Sequence, residues 1–333
     1  MNSADTLLLT RFNVSQLLSI EECIAAVEQA FKLYALGEAP TPGVLGIHAQ
    51  DGGFHIKAGI LNLSKNYFVA KLNANFPHNN KKYSLPTILG VIAVCDAENG
   101  RLLALMDSIE ITIIRTGAAT AVAAKWLAKE SAKTATICGS GNQGKISLRA
   151  VMKVRQLEKI FVFDIDEKKA KQFARDLSEE LEISVEPVND LKEAIMQSDI
   201  CITCTPSKKY FLLREYISPG TFIAAVGADS EDKQELEPSL LISGKLVTDI
   251  TGQCATIGEL HHAITQGLTT VDGVHAELGQ IIAGQKAGRE SDEEIITFDS
   301  TGTALQDVAA AAIVYEKALI NNIGTSMNFS DAT

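Results

Sequence analysis

The sequence predicts an α/β protein in which a doubly wound parallel sheet is inserted into a second, α+β domain. Three observations predict it. From Thr134 onward, short apolar strands alternate with helical segments, the pattern of right-handed βαβ units. A G-x-G-x-x-G turn, Gly139, Gly141 and Gly144, follows the first of those strands. The turn lies well inside the chain, and the region ahead of it has another texture, short segments punctuated by Gly and Asn.

Taken in order, "SIEECIAAVEQAFKLYALG" is a helix. Ser19 and Glu22 form a capping box, apolar residues recur at helical spacing, and Gly37 ends it. "GVLGIHA", "GFHIKAGIL", "YFVAKLNANF" and "TILGVIAVCD" read as strands of a mainly antiparallel or mixed sheet. "AENG" makes a turn and "RLLALMD" resumes as a strand. The alanine-rich "SIEITIIRTGAATAVAAKWLA" is helical and is expected in two pieces. The parallel region follows, with strands "TATIC", "KIFVFD", "ISVEPV", "DICITC", "TFIAAVG" and "KLVTD". Its intervening helices are "QGKISLRAVMKV", "EKKAKQFARDLSEEL" and "DLKEAIMQS". "TALQDVAAAAIVYEKALI" is a last long helix, which either caps the parallel domain or returns to the first one. The tail "NNIGTSMNFSDAT" is expected to fray.

At 333 residues the chain is long enough for two domains, each with its own core. A composition 46% apolar and 21% charged is that of a globular protein. The net charge of −11 argues against a nucleic-acid partner. No apolar run is long enough for a membrane span, and "MNSADTLLLTRFN" does not read as a secretory signal, so a cytoplasmic location is expected. Cys201 and Cys204 form a C-x-x-C, but "DICITCTPS" reads as a buried strand and there is no second Cys/His pair at zinc spacing. No metal is expected.

The glycine turn gains meaning from its context: a strand before it, a helix after it, and Asp164 at the end of the next strand. This is the Rossmann-type arrangement. Gly139 permits the tight turn, Gly141 lets the backbone approach a pyrophosphate, and Gly144 lets helix pack on strand. The helix N-terminus presents free N–H groups to phosphate. Asp164 accepts from ribose hydroxyls, and Asp166 adds a charge that repels a 2′-phosphate, so NAD (or NADH) is favoured over NADP.

Three charged residues outside the turn suit chemistry on an anionic substrate, each with a plainer alternative. Lys71, in "VAKLNANF", is either a functional cation or a strand lysine whose stem lies on the surface. Arg115 is the only charged residue from Ile111 to Ala124, so it either reads a carboxylate or phosphate or sits in a structural ion pair. Asp229 follows an apolar strand, at a place where ligands gather in open α/β sheets; it is a general acid or base, or it caps a turn.

With these residues in view, the sequence resembles the ornithine cyclodeaminase/mu-crystallin family. That family also holds archaeal-type alanine dehydrogenases, ketimine and pyrroline-2-carboxylate reductases, and iminosuccinate reductases. The resemblance runs from Leu17 to Leu319 through the blocks "AKLNANFPHN", "SLPTILGVIAVCDAENGRLLALMD", "TIIRTGAATAVAAKWLA", "CGSGNQG", "VGADSEDKQEL" and "STGTALQDVAAA". It implies a substrate-binding and dimerisation domain of residues 1–115 plus 306–333, an NAD-binding domain of 116–305, and a homodimer with the catalytic cleft between the domains.

Residue by residue, the resemblance makes Lys71 a contact to the substrate carboxylate or imine, Arg115 a carboxylate binder near the nicotinamide, and Asp229 the proton carrier. Thr87, Thr116, the loop Ser140, Gly141, Asn142, Gln143 and Gly144, Asp164, Thr205 and Ser300 match cofactor-lining positions. The chain departs from the family where many members carry a substrate-clamping arginine: "PTPGVLG" has Gly43 and no arginine. Ornithine users carry a glutamate a few residues on, where "GFHIKAG" places His55 and Lys57, which share a strand face. That change disfavours a cationic substrate, and makes Lys57 either a substitute for the missing arginine, a clamp for a second carboxylate, or a solvated lysine. The implied activity is an NAD-dependent oxidoreductase at the Cα–N bond of a small amino or imino acid. The alternatives are a cyclodeaminase with no net redox change and a non-enzymatic nucleotide- and ligand-binding protein of the mu-crystallin type.

Overall fold

The computed structural model describes residues 5–328. They form two compact units: one runs to Arg115 and resumes at Thr303, and the other spans Thr116–Gly302. The second junction falls between Gly302 and Thr303, ahead of the boundary at 305/306 expected from sequence.

The first unit opens with β1 (Asp5–Leu9), α1 (Arg11–Leu17) and α2 (Ile20–Ala35). The capping box at the start of α2 is present: Ser19 accepts from Glu22 N–H, and the Glu22 carboxylate accepts from Ser19 N–H. Gly37 follows the helix with φ of 76°, a conformation that glycine adopts without penalty. Then come β2 (Gly43–Ala49), β3 (Gly52–Asn62), β4 (Asn66–Asn75), α3 (Asn79–Tyr83), β5 (Ile88–Asp96), β6 (Leu102–Asp107) and α4 (Ile109–Leu127). Expected in two pieces, α4 is one helix, and the chain passes from the first unit to the second within it. The helix continues through Gly117. A Cβ there would stand 2.9 Å from the Ile146 carbonyl oxygen, so the glycine serves close helix approach.

The second unit continues with β7 (Thr134–Cys138), α5 (Asn142–Val151), β8 (Lys159–Phe163), α6 (Glu167–Leu181), β9 (Ser184–Pro187), α7 (Leu191–Met196), β10 (Ile200–Thr203) and β11 (Lys208–Leu212). It then adds β12 (Phe222–Ala225), β13 (Gln234–Leu236), α8 (Pro238–Leu241), β14 (Lys245–Thr248), α9 (Thr251–Ile257), α10 (Glu259–Thr265), β15 (Ala276–Glu277), α11 (Leu278–Ile282) and β16 (Ile296–Asp299). The chain finishes in the first unit with α12 (Ala304–Asn321) and β17 (Thr325–Asn328). The tail expected to fray therefore holds a strand, because β17 pairs antiparallel with β1; residues 329–333 lie outside the described ones.

The first unit is a mixed seven-stranded sheet in the order β17-β1-β6-β5-β4-β3-β2, antiparallel except for the β1–β6 pair. Strand alternation divides its residues between two faces. One face is covered by α12, which packs on β3 and β4 and is itself covered by α2. A Cβ on Gly59 of β3 would meet Ala304 Cβ at 3.2 Å, so that glycine admits the helix. The opposite face carries Leu45, Ile47, Phe54, Leu72, Leu89 and Val91, all partly exposed. The second unit is an eight-stranded parallel sheet, β15-β14-β16-β12-β10-β7-β8-β9. Because β8 and β10 lie on either side of β7, the strand order reverses there, which opens a crevice at the carboxyl ends of β7 and β10. Among the described residues, no helix is long and apolar enough to cross a membrane.

Candidate active site

In the first unit, the register places Lys57 of β3 opposite Lys71 of β4, on the face covered by α12. Both are buried, at 7% and 2% exposure, so the reading of Lys71 as a surface lysine is set aside. Lys71 Nζ lies 2.7 Å from each carboxylate oxygen of Asp307 on α12; the contact to Oδ1 is a hydrogen bond, and that to Oδ2 is coulombic. Arg115, near the middle of α4, places Nε 3.1 Å from Asp307 Oδ1 and donates from Nη1 to Gln306 Oε1 at 2.7 Å. The Arg115 bond fixes which way the Gln306 amide points, and its Nε2 is buried with no hydrogen-bond partner.

Asp307 therefore serves two buried cations, with Lys57 on the same sheet face. Burial pushes Asp307 up, but Lys71 and Arg115 outweigh it and hold the carboxyl below the usual carboxylate range. Burial draws Lys71 down to about 7; Asp307 opposes this, while Arg115 and Lys57 add to it. The two directions look contradictory for one ion pair, since each partner normally stabilises the other's charge. They agree once the cations are counted: Lys71, Arg115 and Lys57 all lower the acid, whereas for Lys71 the other two cations reinforce burial against Asp307. His55 is half-buried on the same face of β3, opposite Asn73. Thr87 is exposed ahead of β5, where its carbonyl accepts from Phe76 N–H, and it makes none of the cluster's hydrogen bonds.

In the second unit, the remaining candidates other than Thr116 fall at the carboxyl ends of the parallel strands. Gly139 leaves β7 with φ of 107°, a backbone that a side chain would strain. Gly144 has the Gly139 carbonyl oxygen 2.1 Å from where its Cβ would be, whereas a Cβ on Gly141 would meet nothing within 4 Å. That open space at the helix start is what a phosphate needs. Asn142 and Gln143 open α5, and Gln143 Oε1 is buried with no hydrogen-bond partner.

Ser140 N–H and Oγ both donate to Asp164 Oδ2, at 2.9 and 2.6 Å, and Asp166 N–H donates to Oδ1 at 2.9 Å. Burial pushes Asp164 up, but these donors prevail and hold it below the usual range. They use part of the carboxylate's acceptor capacity, so fewer sites are open to ribose hydroxyls than the sequence suggested. Asp166 caps α6 through Lys168 and Lys169 N–H, so its carboxylate is engaged in the helix and adds only charge beside Asp164. Thr116 lies half-buried in α4, where its carbonyl accepts from Thr120 Oγ.

Asp229 lies beyond β12 with its side chain 52% exposed, 2.5 Å from Lys233 Nζ. Burial lowers Lys233, but Asp229, Glu235 and Asp232 outweigh it and hold the ammonium above its ordinary value. Ser300 follows β16, buried, and donates to Asp249 Oδ2 at 2.9 Å. Thr205 follows β10 and donates from N–H and Oγ to Glu235 Oε1, at 2.5 and 2.7 Å.

The sequence reading missed Asp307, Gln306, Lys233 and Glu235. A signal for Asp307 existed: it is the one acid in "TALQDVAAAAIV", the counterpart of the lone Arg115. Among the described residues no group of three or more His, Cys, Asp or Glu could hold a metal.

The sequence profile of the ornithine cyclodeaminase/mu-crystallin family matches residues 4–322. The chain belongs to this family. Within it, the chain is 39% identical to an alanine dehydrogenase of Archaeoglobus fulgidus over 326 residues, 98% of this chain and 99% of the relative. The solved structure of an archaeal alanine dehydrogenase dimer with bound NAD has a TM-score of 0.93 and 39% identity, covering 98% of this chain and 99% of that one. The Thermococcus litoralis Δ1-pyrroline-2-carboxylate reductase, solved with NADH and L-proline, has a TM-score of 0.91 and 35% identity, covering 97% and 100%. These family members share the Rossmann-like parallel sheet of the second unit.

Proposed function

We propose that this chain is an NAD-dependent oxidoreductase acting at the Cα–N bond of a small amino or imino acid. The observation that carries the reading is the buried cluster in which Lys71 and Arg115 share one carboxylate, Asp307. A site with more buried cations than acids is suited to the carboxylate of an amino or imino acid, and Arg115 supplies the planar fork that such a group prefers. The named activities of the relatives, on alanine and on a cyclic imino acid, support the same substrate class.

The second unit fits a dinucleotide. Gly141 leaves room for the pyrophosphate, and Asp164 keeps the ionised form that accepts a ribose hydroxyl and repels a 2′-phosphate. When bound, the nicotinamide takes up or supplies the hydride. Lys71 and Arg115 hold the carboxylate, with Lys71 drawn into a range where it can also give or take a proton. Asp229, ion-paired to Lys233 at rest, is in the form that accepts a proton, and it carries that proton to or from the substrate nitrogen.

We further propose a cytoplasmic homodimer. The exposed apolar face of the first unit's sheet, from Leu45 to Val91, is larger than isolated surface residues would give and suits a second copy of itself. The archaeal alanine dehydrogenase, a dimer, supports this.

The experiment follows absorbance at 340 nm with NADH and a panel of imines, from pyruvate, glyoxylate or oxaloacetate with ammonium, and preformed cyclic ketimines. NADH consumption with one imine class is expected. Ammonia release from ornithine or lysine with no net NADH change would overturn the reading in favour of a cyclodeaminase.

A further inference from the structure

We propose that Glu235 is a positioning residue of the nucleotide crevice, its buried carboxylate tying the loop after β10 to the loop after β12. Oε1 accepts from Thr205 N–H at 2.5 Å and Thr205 Oγ at 2.7 Å, while Oε2 accepts from Gly227 N–H at 3.1 Å. The two loops leave neighbouring parallel strands, where Thr203 and Ala225 are register partners. A single carboxylate thus spans two strand ends at the edge where a ligand gathers in this architecture.

Each loop bears on the site. A Cβ on Gly139, first glycine of the dinucleotide turn, would meet the Cys204 carbonyl oxygen at 3.0 Å and Thr205 Cγ2 at 3.1 Å, so Thr205 sets the floor under that turn. Gly227 lies two positions before Asp229, the proton carrier proposed above. A Cβ on Gly227 would fall between 2.4 and 2.6 Å from the Glu235 carboxyl group, so a glycine there is what lets the carboxylate in.

Glu235 is itself held. The Glu259 carboxylate accepts from Glu235 N–H at 2.7 Å and from Leu236 N–H at 3.2 Å. The Asp299 carboxylate in turn accepts from Glu259 N–H at 3.2 Å and Leu260 N–H at 2.8 Å. Three buried acids thus form a relay in which each fixes the backbone that carries the next. Burial is costly for every one of them and pushes Glu235 and Glu259 up, and Asp299 up to about 7. A carboxylate suits the junction because it only accepts: an amide at position 235 would turn an N–H against one of the donors.

This inference rests on the nucleotide reading above, and its test uses NADH binding to the full-length protein, followed by fluorescence titration. Glu235→Gln is expected to raise the Kd for NADH about 10-fold or more, and Thr205→Val about 3-fold to 10-fold. Thr205→Ser, which keeps the hydroxyl, should stay within about 2-fold of wild type. The double variant Glu235→Gln/Thr205→Val should be little weaker than Glu235→Gln alone, because the two changes break one tie. A lowered Tm with unchanged NADH Kd in Glu235→Gln overturns the proposal, as do fully multiplicative effects in the double variant. If Glu235→Gln does not fold, equal NADH affinity in Thr205→Val and Thr205→Ser overturns it instead. A wild-type protein that does not bind NADH would overturn the nucleotide reading, and this inference with it.

Discussion

Lys57 and Lys71 face each other across neighbouring antiparallel strands, both buried beneath the helix that carries Asp307. Like charges directly opposite on a sheet destabilise it. The first unit keeps this pair, and Asp307 and Arg115 complete the cluster.

Asp307→Asn removes the acid that two buried cations share. Breaking a buried pair from one side costs about 3–5 kcal/mol, because the remaining charges stay buried. A lowered midpoint in thermal or urea unfolding is expected, with partial recovery on adding a carboxylate ligand. An unchanged midpoint would show that the cluster carries no such charge imbalance.

Lys71 is drawn down to about 7, so at pH 8 much of it is neutral in the ligand-free protein. A bound carboxylate favours the charged form, and binding should take up a proton. Calorimetry at pH 8 in buffers of different ionisation enthalpy measures that uptake, which Lys71→Arg should abolish, since arginine stays protonated. The same depression has a stability sign. Between about pH 7 and 10 the unfolded chain keeps the proton that the folded one has released, so this group's contribution makes stability rise with pH across that window.

Lys57→Met separates the two functional readings of that lysine. If it clamps a second carboxylate, KM for the imine of oxaloacetate rises about 10-fold or more, while the pyruvate imine is spared. Equal losses with both imines would assign Lys57 to the α-carboxylate, in place of the arginine missing near Gly43.

Asp229→Asn should reduce kcat by about 100-fold or more while leaving the NADH Kd near wild type, as loss of a proton carrier requires. Near-normal turnover would transfer that role to another group, with Lys71 the first to test.

Asp164→Ser removes the charge that repels a 2′-phosphate. The preference for NADH over NADPH, taken as a ratio of Kd values, should fall about 10-fold or more. An unchanged ratio would place discrimination outside the Ser140–Asp164 contact.

Much of this was legible in the sequence because periodicity and turn chemistry are local. The capping box at Ser19 and Glu22, the strand bearing Lys71 and the turn beginning at Gly139 all follow from residues within a few positions of one another. What escaped was set by distant partners. A strand lysine reads as solvated until a helix 236 residues later covers it with an acid. Nothing local to Gly117 announces that Ile146 presses against it. Glu235 lies among acids that look exposed, and only the backbone of other elements reveals its burial. The terminal strand Thr325–Asn328 is too short to identify itself without β1 beside it.

The route of the chain also sets an order of manufacture. Residues 116–302 emerge from the ribosome as one unbroken stretch, and that unit can close as soon as its last strand, Ile296–Asp299, is clear of the exit tunnel. The first unit begins earlier yet finishes later, because α12 is translated after everything that it covers. Until then the face bearing Lys57 and Lys71 lacks both its helix and the acid between its cations. The first unit therefore cannot complete its buried cluster until α12 has been made.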